Sequence, residues 1–406
     1  MDYQGFTRAL AAETLPVAWL DIDALDRNAN AILARAAGKP VRLVSKSLRN
    51  LEVIQHLLRR HAGFQGVMCF HPGEACWLSE QGLDDLLVAY PSLQASLLDA
   101  VVAQVAQGKR IVLMVDSVAH VDAIVASVTR WQQRQGSDLS APGSLVQPLC
   151  LDLDLSTPLP GLHFGVHRSP VNSVKSALAL YEYIAAQPCL KLVGVMGYEA
   201  QIAGVADNLP HNPLHNLAVT QLKAWSRRRV RARRQAVVSA LRQAGADLEF
   251  VNGGGTGSME FTVADASVSE VAVGSGFYGS HYFDYFRQFR HEPAAGFALE
   301  VCRQSASGYL TCAGGGYIAS GGVGPEKLPQ PWLPEGLELD SLEGAGEVQT
   351  PLKGPATQGL HPGAPVMFRH AKAGELCERF NELLWIQGDK VMHRSLTYRG
   401  EGKVFL

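Results

Sequence analysis

Val41-Arg-Leu-Val-Ser-Lys-Ser-Leu-Arg49 is an apolar, β-branched run that ends at a lone lysine and passes directly into helical spacing. Similar runs follow at Gly66–Phe70, Asp85–Ala89, Arg110–Val115, Val146–Asp154, Leu192–Gly197, Leu248–Asn252 and Glu270–Val273. Amphipathic stretches separate them at Leu51–His61, Gly73–Gln81, Gln94–Ala106, Val118–Gln133, Val171–Ala186 and Leu217–Ala244, and only the last interval is ambiguous. Short strands alternating with helices specify parallel βαβ units, since a parallel neighbour is reached only by a crossover. Eight such strands predict an α/β fold of the (β/α)8 TIM-barrel type, with a doubly wound open sheet as the structural alternative.

Beyond about residue 285 the helical spacing gives way to short β-like pieces, among them Phe297–Arg303, Tyr309–Ala313 and Pro365–Phe368. The expected organisation is therefore a barrel over 20–285 and a mainly β domain over 286–406, with residues 1–19 as candidates to join it. The Gly- and Pro-rich stretch from Ala319 to Gln349 is long for a plain connector.

A chain of 406 residues with 47% hydrophobic and 18% charged side chains has ample material for two cores. Its net charge of -2 gives no electrostatic reason to expect nucleic acid or an anionic membrane as partner. The basic run Arg227-Arg-Arg-Val-Arg-Ala-Arg-Arg234 reads as the solvated face of a long helix. The seven cysteines are odd in number and form no CxxC pair, which argues against a disulfide framework. No stretch is apolar enough to span a bilayer, so a cytoplasmic protein is expected.

The unusual residues cluster at strand C-terminal ends, the face on which barrels build their sites. A lysine fixed there, with its pKa lowered by burial, can supply a neutral amine for Schiff-base chemistry. Asn252-Gly-Gly-Gly-Thr-Gly-Ser258 follows the seventh strand and Gly274-Ser-Gly-Phe-Tyr278 the eighth. Backbone N–H groups in such turns can converge on a phosphate, and tight connecting turns are the plainer reading of either alone. Gly165-Val-His-Arg-Ser-Pro170 adds an arginine, and Gly197-Tyr-Glu-Ala-Gln-Ile-Ala-Gly204 a tyrosine and a carboxylate.

Together, Val-Ser-Lys-Ser, Arg-Ser-Pro, Gly-Tyr-Glu-Ala and Gly-Gly-Gly-Thr-Gly-Ser resemble the pyridoxal-phosphate enzymes of the alanine racemase-like fold. The likeness is greatest to the D-threonine aldolase and D-serine dehydratase group, and it covers nearly the whole chain. The resemblance implies that Lys46 binds pyridoxal 5'-phosphate covalently. It also implies that Gly254, Gly255, Thr256, Gly276 and Phe277 hold the phosphate, Arg168 approaches the phenolic oxygen and Tyr198 the ring. The implied activity is that of a lyase acting on a β-hydroxy D-amino acid, in a homodimer. An amino acid racemase is the alternative, for which Tyr317 and Tyr398 are candidate second bases, and a cofactor-carrying protein without turnover is the third reading.

Members of that group hold a divalent metal, Zn or Mn, on a His-x-Cys or His-x-Asp pair. Here the pattern reads His370-Ala-Lys372, with Glu375 and Cys377 as replacement ligands only if the loop bends back. His370 is thus a candidate metal ligand and a candidate catalytic residue. Without a metal, a general acid at His370 or Lys372 would have to assist a poor leaving group.

Overall fold

The structure is a computed structural model that describes residues 1–136, 145–159, 161–322 and 324–405. Val323, in the long Gly- and Pro-rich stretch, lies outside the described residues. Chain contacts divide the protein into two compact units. One holds Met1–Ile32, Lys46–His56 and Gly274–Val404; the other holds Leu33–Ser45, Leu57–Val273 and the chain from Phe405 on.

The second unit contains the closed parallel barrel that the alternation predicts. Its strands are β1 (Val41–Val44), β2 (Phe64–Cys69), β3 (Leu86–Val88), β4 (Ile111–Val115), β5 (Gln147–Asp152), β6 (Leu190–Gly197), β7 (Phe250–Gly253) and β8 (Glu270–Val273), and β8 pairs back onto β1. Val44, Met68, Leu87, Met114, Cys150, Met196, Phe250 and Ala272 pack together from all eight strands, so the barrel is a filled core and not a pore. Arg42 on β1 pairs with Glu270 and Asp85, which stand at or just before the starts of β8 and β3. These charges close the end opposite the strand C-termini.

The crossover helices start where local chemistry satisfies their open N–H groups. Ser117 and Ser173 cap two of them, the latter in a capping box with Ser176, and Pro72 and Pro213 occupy first turns. No helix among the described residues is long and apolar enough to cross a membrane. All seven cysteines are free thiols, six of them buried.

The first unit is built on a nine-stranded sheet. Its centre is Val17–Asp21, antiparallel to Ala295–Gln304 and parallel to Glu382–Gln387. An early strand thus lies between two late ones. Phe6, Trp19, Met367, Leu384 and Ile386 form the core on one face.

Candidate active site

Lys46 directly follows β1, in a single 3-10 turn, Ser45–Ser47. Ser45 and Ser47 are buried, whereas Lys46 is exposed. The expected burial is therefore not met at Lys46 itself, although the serine on either side of it is buried. The backbone around Lys46 is nevertheless tightly held within the first unit. A Cβ on Gly374 would lie 1.8 Å from the Lys46 carbonyl oxygen, so only glycine permits this approach. The Leu48 carbonyl accepts from the Tyr278 hydroxyl at 2.9 Å and from Cys377 Sγ at 3.3 Å, and Arg49 pairs with Glu378. Ser47 and Ser275 share a 3.2 Å hydroxyl contact, which joins the lysine turn to the short helix Ser275–Tyr278 that contains Gly276 and Phe277. The Phe277 N–H donates to the Gly274 carbonyl at 3.1 Å.

In the second unit, the glycine-rich turn after β7 is organised from beneath by charge. The Gly254 N–H donates to Glu199 Oε2 at 3.2 Å, and Thr262 and Ser258 donate their hydroxyls to the same carboxylate. Arg234 donates to Glu199 at 2.8 Å, to Asp265 at 3.0 Å and to the Gly197 carbonyl at 3.1 Å. All three charged side chains are fully buried. Arg234 therefore departs from the solvated-helix reading of its basic run: its partners lie 35 residues before it and 31 after it. Gly254 has φ +93°, and a Cβ on Gly255 would press on Ala203 and on the Tyr198 ring at 3.2–3.3 Å. The Thr256 carbonyl accepts from Arg35 at 2.7 Å.

The Arg168 guanidinium lies 5.2 Å from the ring centre of Tyr90 and 5.5 Å from that of Tyr198. Asp152, the last residue of β5, is buried, and burial raises its carboxyl to about 7 with help from Asp116 and Asp154, against the pull of Arg168. A turn shaped by glycines, an adjacent ring and a cation between two tyrosines fit a flat aromatic group that bears a phosphate. Tyr90 and Asp152 were not predicted as site residues. The available signal was their place at or just past the ends of β3 and β5.

The segment His370–Glu378 belongs to the first unit. His370 is 4% exposed, with no hydrogen-bond partner for either ring nitrogen. Burial, then His281 and Arg369, lower its pKa to about 3 and keep the ring neutral. Lys372 Nζ donates to Ser320 Oγ at 2.7 Å and lies 3.5 Å from Glu375, whose carboxylate also takes the Ser320 N–H. Cys377 is committed to Leu48, and burial pushes its thiol up to about 12. Neither replacement ligand hydrogen-bonds His370. Among the described residues no three His, Cys, Asp or Glu side chains are grouped to hold a metal. This donor set does not fit a divalent cation. Of the candidate second bases, Tyr398 is fully buried, and burial raises the pKa of half-buried Tyr317.

The 3-hydroxy-D-aspartate aldolase of Paracoccus denitrificans (strain Pd 1222) is 26% identical over 262 residues, 64% of this chain and 59% of that protein. The match therefore spans less than two thirds of the curated relative. Among solved structures, D-threonine aldolase from Filomicrobium marinum superposes with a TM-score of 0.79 at 17% identity, over 97% of both chains. The D-threo-3-hydroxyaspartate dehydratase from Delftia sp. HT23 gives 0.74 at 19%, over 96% of this chain and 98% of that one. At these identities the likeness is one of fold. The family described as alanine racemase, N-terminal domain, matches residues 20–282, more than half of the sequence, and the chain belongs to that family.

Proposed function

We propose that the chain is a pyridoxal-phosphate-dependent lyase that cleaves or dehydrates a β-hydroxy D-amino acid. The observation that carries this reading is positional. Lys46 follows β1, Gly254–Thr256 follow β7, Gly276 and Phe277 follow β8, and those three strands are consecutive in the barrel. Residues that follow barrel strands are the usual source of catalytic groups. The likeness to a 3-hydroxy-D-aspartate aldolase supports the substrate class.

The cofactor, when bound, supplies an electron sink that weakens the bonds at the substrate's Cα. Lys46 Nζ would hold it covalently. The amides of Gly255, Thr256 and Gly276 would hold its phosphate, in turns shaped by Gly254 and Phe277, while Arg168 would face its phenolic oxygen and Tyr198 its ring. His370, neutral and without other partners, would exchange a proton at the substrate's β-oxygen. The setting we propose is a cytoplasmic homodimer, with 20–285 as the cofactor-binding barrel, 286–406 as the mainly β domain, and neither nucleic acid nor membrane as partner.

A proton NMR time course with D-threonine and 3-hydroxy-D-aspartate in deuterated buffer tests the reading. Glycine plus an aldehyde, or an oxo acid plus ammonia, is expected. Exchange at Cα with epimerisation and no cleavage would replace the lyase by a racemase. Lys46→Ala should abolish the visible absorbance of the bound cofactor, and an unchanged spectrum would remove this lysine from the mechanism.

A further inference from the structure

We propose that Lys372 replaces the divalent cation that the aldolase and dehydratase pattern calls for, so that this chain works without a metal at His370. The inference rests on the lyase reading. It starts from a disagreement between sequence pattern and donor chemistry: the second position of the His-x-Cys or His-x-Asp pair holds an ammonium, which has no lone pair to offer while protonated.

The surroundings hold that group in a fixed position. Ser320 accepts from Lys372 Nζ at 2.7 Å, and Glu375 stands 3.5 Å away as its counter-charge. The Ser320 N–H, at 2.9 Å from Glu375, locks serine and carboxylate into one arrangement. Burial, then Lys372, lowers the basicity of Lys327 against the pull of Glu326 and Glu375, and its Nζ lies 4.4 Å from the centre of the Tyr282 ring. Two ammonium groups in one neighbourhood raise the local potential and disfavour a divalent cation there. Of the side chains that offset this, Glu326 acts on Lys327, Glu375 is held by Ser320 and Lys372, and Cys377 is held by the Leu48 carbonyl. His370 and His281 remain as two imidazoles; the carboxylate that acts on His281, Asp284, is paired with Arg369, and His281 Nε2 is bound to the Leu328 carbonyl.

The position is nonetheless beside the chemistry, since Gly374 packs directly on the Lys46 backbone two residues past Lys372. A fixed ammonium here supplies the positive charge that developing negative charge on a substrate oxygen requires, without metal coordination.

The test is metal uptake by the cofactor-loaded full chain, measured by equilibrium dialysis against zinc or manganese. The unmodified protein should take up no stoichiometric metal. Lys372→Cys, which restores the His-x-Cys pair, should bind one equivalent, and with cobalt it should show thiolate-to-metal charge-transfer absorption. One equivalent in the unmodified protein, lost on His370→Ala, overturns the proposal. So does a folded Lys372→Cys variant, with normal cofactor absorbance and circular dichroism, that binds no more metal than its parent. Neither readout needs turnover, so a failed lyase assay and a failed metal prediction remain separate results.

Discussion

The glycine-rich turn after β7 and the segment His370–Glu378 are both candidate site elements, and they are supported by opposite means. Beneath the turn, Arg234, Glu199 and Asp265 are fully buried, and each charge meets its opposite. In the segment, the buried group is a histidine with no partner at either nitrogen, while the charges of Lys372 and Glu375 are partly exposed. A buried and paired network fixes one geometry and tolerates little change. An unpartnered imidazole keeps its hydrogen-bonding capacity for something else and is costly while it does so. The first arrangement suits holding a cofactor in place; the second suits acting on whatever is brought to it.

The largest effect should follow from breaking the buried network. Glu199→Ala leaves Arg234 with one carboxylate instead of two and frees the Gly254 N–H, so a loss of about 3–5 kcal/mol is expected in urea unfolding. Glu199→Gln keeps the volume and an acceptor and should lose less, with weakened cofactor affinity as its main sign. Equal loss from both variants would show that charge is not what fixes the turn. Next comes Gly374→Ala in the other region. Its Cβ would fall on the Lys46 carbonyl, so the backbone must move, at about 1–3 kcal/mol. The bound-cofactor absorbance should broaden or weaken with it, and an unperturbed spectrum would show that Lys46 does not depend on this packing.

The contrast also explains what was legible beforehand. The eight barrel strands are short apolar runs, and their alternation with amphipathic helices is a local signal. Lys46 and both glycine-rich turns could be placed because they adjoin those runs. Arg234 could not be, since a basic run looks solvated until Glu199 and Asp265 are brought to it from distant parts of the chain. The strand Val17–Asp21 was hidden for the same reason: its partners begin at Ala295 and Glu382. Gly374 carries no local mark at all, because its need for a missing Cβ arises from the chain near Lys46.

The smallest effects separate the two regions by pH. Asp152, in the barrel unit, has its folded-state pKa raised from 3.8 to about 7, so the folded state retains a proton that the unfolded chain releases. Its contribution is favourable in acid and declines as pH rises through that window, and Asp152→Asn should flatten the slope. His370 runs the other way. Its pKa falls from 6.5 to about 3, so the unfolded chain takes up the proton first, and stability declines as pH falls through that window. His370→Leu removes this slope and an unpaired buried group together, so unfolding at neutral pH should be unchanged or harder by about 1 kcal/mol. Turnover should nevertheless collapse while the cofactor spectrum persists. If activity survives in a variant that is as stable or more so, the imidazole is a packing residue; if stability falls by several kcal/mol, its nitrogens have partners inside the fold and are not kept for substrate.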